Sequence, residues 1–97
     1  MSNISMVCAG IDVGKRKLDV AVCGAKASLQ VDNTSAGHEK LVRWLQRHKV
    51  ERVGVEATGG YEQGVVQALR RESIPVVVFQ PIQVRAYARF RLKLAKN

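Results

Sequence analysis

The chain has 97 residues, enough for one domain with one modest core and no need of a disulfide or metal to fold. Apolar residues make up 46%, ordinary for a globular protein, and no apolar run reaches membrane-spanning length, so no membrane partner is expected. Sixteen Lys and Arg against eight Asp and Glu leave a net charge of +8, which points to a polyanionic partner, nucleic acid being the commonest.

Val7 to Val13 is nearly continuous in apolarity and reads as a buried strand. Gly14-Lys15-Arg16-Lys17 is a turn, and the alternation of Leu18, Val20 and Val22 with Asp19, Ala21 and Cys23 reads as a second strand. The short gap makes the pair an antiparallel hairpin. With the turn centred between Lys15 and Arg16, Cys8 faces Cys23, Gly10 faces Ala21 and Asp12 faces Asp19. Like charges directly opposite are unfavourable. Either the register differs, Asp19 bends to solvent, or a cation sits between the two. Asp12 shares its face with small residues, so a helix could pack closely there. Cys8 and Cys23 both lie in apolar runs and read as buried thiols. No Cys/His spacing suits a metal. Met1 to Ser5 lacks the basic start and apolar core of a signal peptide, so a cytoplasmic protein is expected.

Ala27 to Asp32 reads as a third strand. Asn33, Thr34 and Ser35 are N-cap candidates for a helix running to about His48, with Glu39 in its first turn and Leu41, Val42, Trp44 and Leu45 as its apolar stripe. Arg52 to Glu56 is a fourth strand. Gly59-Gly60 allows a tight turn into a helix from about Tyr61 to Glu72 that buries Val65, Val66 and Leu69. Pro75 to Phe79 is a fifth strand, too apolar to be an exposed edge on both faces. Strand, helix, strand with a short return is a parallel unit with a right-handed crossover. Pro81 opens a third helix.

Asp12 and Glu56 share a context: each follows an apolar strand and precedes a glycine-containing turn. An acid at the end of a buried strand is expensive unless something pairs with it. In open α/β sheets, sites form outside the carboxyl ends of strands. Two carboxylates at the ends of neighbouring parallel strands would converge on one hard cation such as Mg²⁺, which takes oxygen ligands and commonly sits between carboxylates and a phosphate. The amides of Thr58-Gly59-Gly60 precede a helix and could meet a phosphate. No phosphate-loop Lys-Ser/Thr accompanies them, so a plain turn is the preferred reading. Arg85, Arg89 and Lys93 recur every fourth residue, so they share a helix face, and Lys96 follows at i+3. Arg91 adds charge on another side, with Tyr87 and Phe90 interleaved. Such a stripe fits DNA phosphate contacts. Lys15, Arg16 and Lys17, near Asp12, could steer the same backbone.

Taken together, Ile11-Asp12-Val13-Gly14-Lys15, Leu18-Asp19-Val20-Ala21-Val22, Val55-Glu56-Ala57-Thr58-Gly59-Gly60-Tyr61-Glu62, Pro81 with Val84-Arg85 and Ala88, and Ala95-Lys96 follow one another at familiar intervals. This pattern resembles the amino-terminal catalytic part of the DEDD-type transposases of bacterial insertion sequences. That family includes the invertase of a pilin gene, and its fold is similar to the RuvC Holliday-junction resolvase. The resemblance covers essentially the whole chain, and the Glu-Ala-Thr-Gly-Gly-Tyr-Glu block is its most specific part.

The resemblance implies an α/β, ribonuclease H-like fold with a mixed five-stranded sheet, strands one to three antiparallel, strands four and five parallel, and about three helices. It implies four acidic ligands for Mg²⁺ or Mn²⁺. The first two map onto Asp12 and Glu56. The last two belong to an Asp-x-x-Asp motif just after the Ala-Lys matched by Ala95-Lys96. A single domain over 1–97, truncated on its C-terminal side, is therefore expected. The parent protein would be a transposase or site-specific recombinase that cleaves and transfers DNA strands, with homo-oligomers allowed, and this fragment alone would be inactive. Two rivals remain. An actin-like ATPase or sugar-kinase fragment would also start with an Ile-Asp-x-Gly turn, but with small hydroxyl residues where Lys15-Arg16-Lys17 stand. A basic DNA-binding module would have no metal site at all.

Overall fold

The computed structural model describes residues 7–56 and 59–79. Five strands and two helices follow in order: β1 (Cys8–Val13), β2 (Lys17–Val22), β3 (Ser28–Asp32), α1 (Ser35–Arg47), β4 (Arg52–Glu56), α2 (Gln63–Arg71) and β5 (Val76–Phe79). The expected helix from Pro81 lies outside the described residues.

The strands form one sheet in the order β3-β2-β1-β4-β5. β2 is antiparallel to both β1 and β3, whereas β4 is parallel to both β1 and β5. The mixed sheet of the ribonuclease H-like expectation is thus present, with β1 at its centre. The two parallel joins each need a crossover, and α1 and α2 supply them.

Alternation of side chains across the sheet explains which face carries the core. Ala9, Ile11 and Val13 of β1, Leu18, Val20 and Val22 of β2, Val31 of β3, and Val53 and Val55 of β4 are all buried on one face. Leu41, Val42, Trp44 and Leu45 of α1 and Val65, Val66, Ala68 and Leu69 of α2 close over that face. Leu18, Leu41, Leu45 and Leu69 are completely buried. Truncating one such leucine costs about 2–5 kcal/mol.

Among the N-cap candidates Thr34 takes the role, its Oγ1 accepting from the Gly37 amide at 3.1 Å. Glu39 falls beyond the first turn of α1, which holds no acid, because the helix already starts at Ser35 and Glu39 is its fifth residue. Three further expectations need correction. Both helices pack on the face opposite Asp12, so the small residues beside it are not a helix seat among the described residues. β5 is an edge strand with Val77, Val78 and Phe79 partly exposed, since the second crossover sets it outside β4. Cys23 is exposed and Cys8 half-buried, because the hairpin turns them toward the same uncovered side, and they form no disulfide.

Gly37 sits where the start of α1 crosses the end of β3. A Cβ there would collide with the Asp32 backbone carbonyl. At Gly10, on the uncovered face, a Cβ would meet nothing within 4 Å. Gly37→Ala is expected to destabilise the chain by about 3 kcal/mol in urea melts, the upper range for overpacking. Gly10→Ala should leave stability within about 1 kcal/mol.

Candidate functional site

Cys8, Gly10 and Asp12 of β1 point away from the core, as do Lys17, Asp19 and Ala21 of β2 and Arg52, Gly54 and Glu56 of β4. On β5 the residues in this layer are Val77 and Phe79, paired with Gly54 and Glu56. Gly54 leaves room for the Phe79 ring: a Cβ would stand 3.0 Å from it, and the ring would have to shift slightly.

The registers align one cross-sheet row. Gln30 pairs with Asp19, Asp19 with Asp12, and Glu56 with Phe79. The parallel pairing of β1 with β4 runs to Ile11 opposite Val55, so one step further brings Asp12 beside Glu56. Adjacent strands lie about 4.8 Å apart. Three carboxylates therefore stand at one level on three neighbouring strands, two of them at the carboxyl ends of parallel strands.

The hairpin register is the expected one, and the Asp12–Asp19 conflict is eased by Asp19 leaning away. Its Oδ1 accepts from Gln30 Nε2 at 3.0 Å, which draws the carboxylate toward β3. Among the described residues, neither Asp12 nor Glu56 has a hydrogen-bond or ion-pair partner. Asp12 is exposed and Glu56 half-buried, so Asp12 is not the buried acid that its apolar strand suggested. Burial does not explain it; proximity to other carboxylates is its distinguishing feature.

This donor set fits a hard divalent cation. Among the described residues it offers two carboxylates with unpartnered oxygens, side by side on the face opposite the helices, where solvent and substrate oxygens can complete the shell. No group of three or more His, Cys, Asp or Glu side chains suited to a metal occurs among the described residues.

Of the basic residues near Asp12, Lys15 and Arg16 are exposed at the hairpin turn. Lys17 is engaged: its Nζ lies 2.6 Å from Asp32 Oδ1 across the β2–β3 pair. This hydrogen bond, and then the charge of Lys17, hold the Asp32 carboxyl below its ordinary pKa. Both partners are well exposed, so the pair adds little stability. Arg85, Arg89, Arg91, Lys93 and Lys96 lie outside the described residues.

The glycine turn after β4 behaves as a turn. Gly59 and Gly60 have φ of 75° and 122°, values that favour glycine, and the Gly60 amide donates to Glu62 Oε1 at 3.1 Å. That amide is occupied from within the loop, which removes one of the donors of the phosphate-cradle idea.

Sequence reasoning missed a polar junction behind the carboxylates. Asn33 Nδ2 donates to the backbone carbonyls of Gly14 and Tyr61, each at 3.0 Å. Its Oδ1 lies 2.7 Å from His38 Nε2. His38 is 9% exposed, and burial, then the charge of Arg71, hold its pKa below the usual value. Nothing in the local pattern distinguishes Asn33 from the adjacent capping residues, so only the folded chain reveals it.

The sheet order, the crossovers and the paired strand-end acids define a protein of the RuvC-like class. A RuvC structure from Thermus thermophilus is similar over 82% of this chain, with a TM-score of 0.62 and 26% sequence identity. The match covers 65% of that structure's chain. The family model of the IS110 DEDD transposases, described as "Transposase", matches residues 9–97, and the chain belongs to that family. No curated protein matches it. Among the described residues, no helix is long and apolar enough to cross a membrane.

Unpaired carboxylates at this spacing repel one another when no cation is bound. Asp12→Asn and Glu56→Gln are each expected to raise stability by about 0.2–1 kcal/mol in chelator-containing, low-salt buffer. Urea unfolding measures this, and a loss of stability would mean that the acids serve the fold.

Proposed function

We propose that this chain is the part of a DNA transposase or site-specific recombinase that contributes the first two carboxylates of its catalytic centre. The observation that carries the reading is the adjacency of Asp12 and Glu56 at the ends of parallel strands, without a partner for either among the described residues. Membership of the transposase family supports DNA as the substrate and phosphodiester cleavage and transfer as the reaction. It also favours this reading over a nucleotide kinase or ATPase fragment.

In this proposal Asp12 and Glu56 bind Mg²⁺ or Mn²⁺ through their carboxylate oxygens. A divalent ion held there supplies Lewis acidity and charge neutralisation for in-line displacement at phosphorus. The chain's own contribution is positioning: rigid strands hold both carboxylates in place, so little reorganisation accompanies reaction. Lys15 and Arg16 at the adjacent turn attract the phosphate backbone. Lys17 shares that turn but is held by Asp32. Arg85, Arg89, Arg91, Lys93 and Lys96 add a basic stripe that would track the same strand. Over a single ribonuclease H-like domain, residues 1–97, Asp12 and Glu56 would be the first two of the four acidic ligands that the family resemblance implies. We place its action in the cytoplasm and leave room for a homo-oligomer.

In the complete transposase, Asp12→Asn or Glu56→Gln is expected to lower the rate of strand cleavage by about 10³-fold or more, while DNA affinity changes little. Cleavage assays beside gel-shift titrations measure both, and undiminished cleavage by either variant contradicts the assignment.

A further inference from the structure

The Asn33 side chain joins three parts of the molecule that are distant in sequence. Gly14 begins the β1–β2 turn, two residues beyond Asp12. Tyr61 lies in the loop that follows β4, five residues beyond Glu56. His38 belongs to the first half of α1. Both Asn33 amide hydrogens go to carbonyl oxygens, which can only accept. The Asn33 oxygen must therefore face His38, and the His38 Nε2–H must donate to it. The junction permits one amide orientation and one imidazole tautomer.

The same segment is held through its backbone. The Asn33 amide donates to the Arg16 carbonyl at 2.8 Å, and the turn closes with the Gly14 amide on the Lys17 carbonyl at 2.8 Å. On the other side, Gly64 lets the first turn of α2 lie against the imidazole, since a Cβ there would stand 2.7 Å from His38 Cε1. The His38 ring is fixed between two helices, and it fixes Asn33 in turn.

We propose that Asn33, oriented by His38, is a positioning residue that staples the turn after Asp12 to the loop after Glu56 and so sets the spacing of the two carboxylates. The proposal rests on the carboxylate-pair reading above. Strand pairing aligns β1 and β4 only as far as Ile11 and Val55. One residue further on, Asp12 pairs with Asp19 and Glu56 with Phe79 but not with each other, and after Val13 and Glu56 the two strands exit in different ways, β1 into a hairpin turn and β4 toward a glycine turn. The two hydrogen bonds from one amide group are the direct side-chain link between those exits among the described residues.

The test compares this chain with its Asn33→Ala and Asn33→Asp variants. Asn33→Asp keeps the size and the acceptor for His38 but loses both donors. Amide hydrogen exchange is read at Gly14 and at Gln63, whose amide bonds the Gly60 carbonyl, against Val53, whose amide bonds the Pro75 carbonyl within the sheet. Mn²⁺ affinity is read from water-proton relaxation. Both variants should exchange faster at Gly14 and Gln63 by about tenfold or more while Val53 stays within about twofold. Mn²⁺ affinity should fall by about tenfold, the scale of losing a group that orients a metal ligand. The added charge in Asn33→Asp would by itself strengthen cation binding, so a fall in that variant isolates geometry.

Unchanged exchange at both loops overturns the staple. Faster exchange with undiminished Mn²⁺ affinity overturns its role in spacing the carboxylates. Loss of protection at Val53 as well makes the junction a requirement of the whole fold, which also contradicts the proposal. Should the unaltered chain bind no Mn²⁺, or bind it equally well after Asp12→Asn, the metal reading fails, and exchange at Gly14 and Gln63 alone decides whether Asn33 is a staple.

Discussion

The commitment of alternate β1 residues to opposite faces of the sheet is the constraint on which the structure depends. Ala9, Ile11 and Val13 fill the interface with the helices, so Asp12 must stand on the other side. A slip of one residue would drive Asp12 into the core and expose Ile11, an exchange that costs several kcal/mol in lost burial and desolvated charge. β1 also lies between an antiparallel and a parallel neighbour, so its register is held from both sides. Once β1 is placed, strand pairing brings Asp19 and Glu56 to the level of Asp12, and the row of acids follows from the registers.

That row is a local cost set against the stability of everything beneath it. Three carboxylates at one level would be poor design for a domain that had only to fold. The fold relieves one of them, Asp19, through Gln30, and leaves Asp12 and Glu56 without partners among the described residues. A stability defect that persists beside an available remedy marks the place where the chain serves something other than itself. The overall charge of +8 points the same way, because the chain carries an excess of cations yet spends none of those described on these two acids.

Much of this was legible in the residues. Strand alternation, the short hairpin turn and the helical stripes located five strands and two helices to within about two residues. The hairpin turn also gave the Asp12–Asp19 pairing, because antiparallel register propagates from a local turn. The parallel register of β1 with β4 was not legible in the same way. It is set across a helix and a long sequence separation by packing, and only the spacing resemblance to the transposase family hinted at it. Exposure was misread at Asp12, Cys23 and β5 for one reason: apolar runs report that a strand is buried on some face, without saying which faces the helices reach. The Asn33 junction left no trace in the pattern, since its partners are backbone carbonyls, which every residue possesses. The basic stripe from Arg85 to Lys96 lies outside the described residues.

The central claim is that Asp12 and Glu56 together form a divalent-cation site. Crystals of this chain soaked in MnCl₂ and measured at a wavelength where manganese scatters anomalously test it most directly. The account predicts an anomalous peak within coordination distance, about 2.0–2.4 Å, of carboxylate oxygens from both residues. Clear density for both side chains with no such peak between them would contradict it.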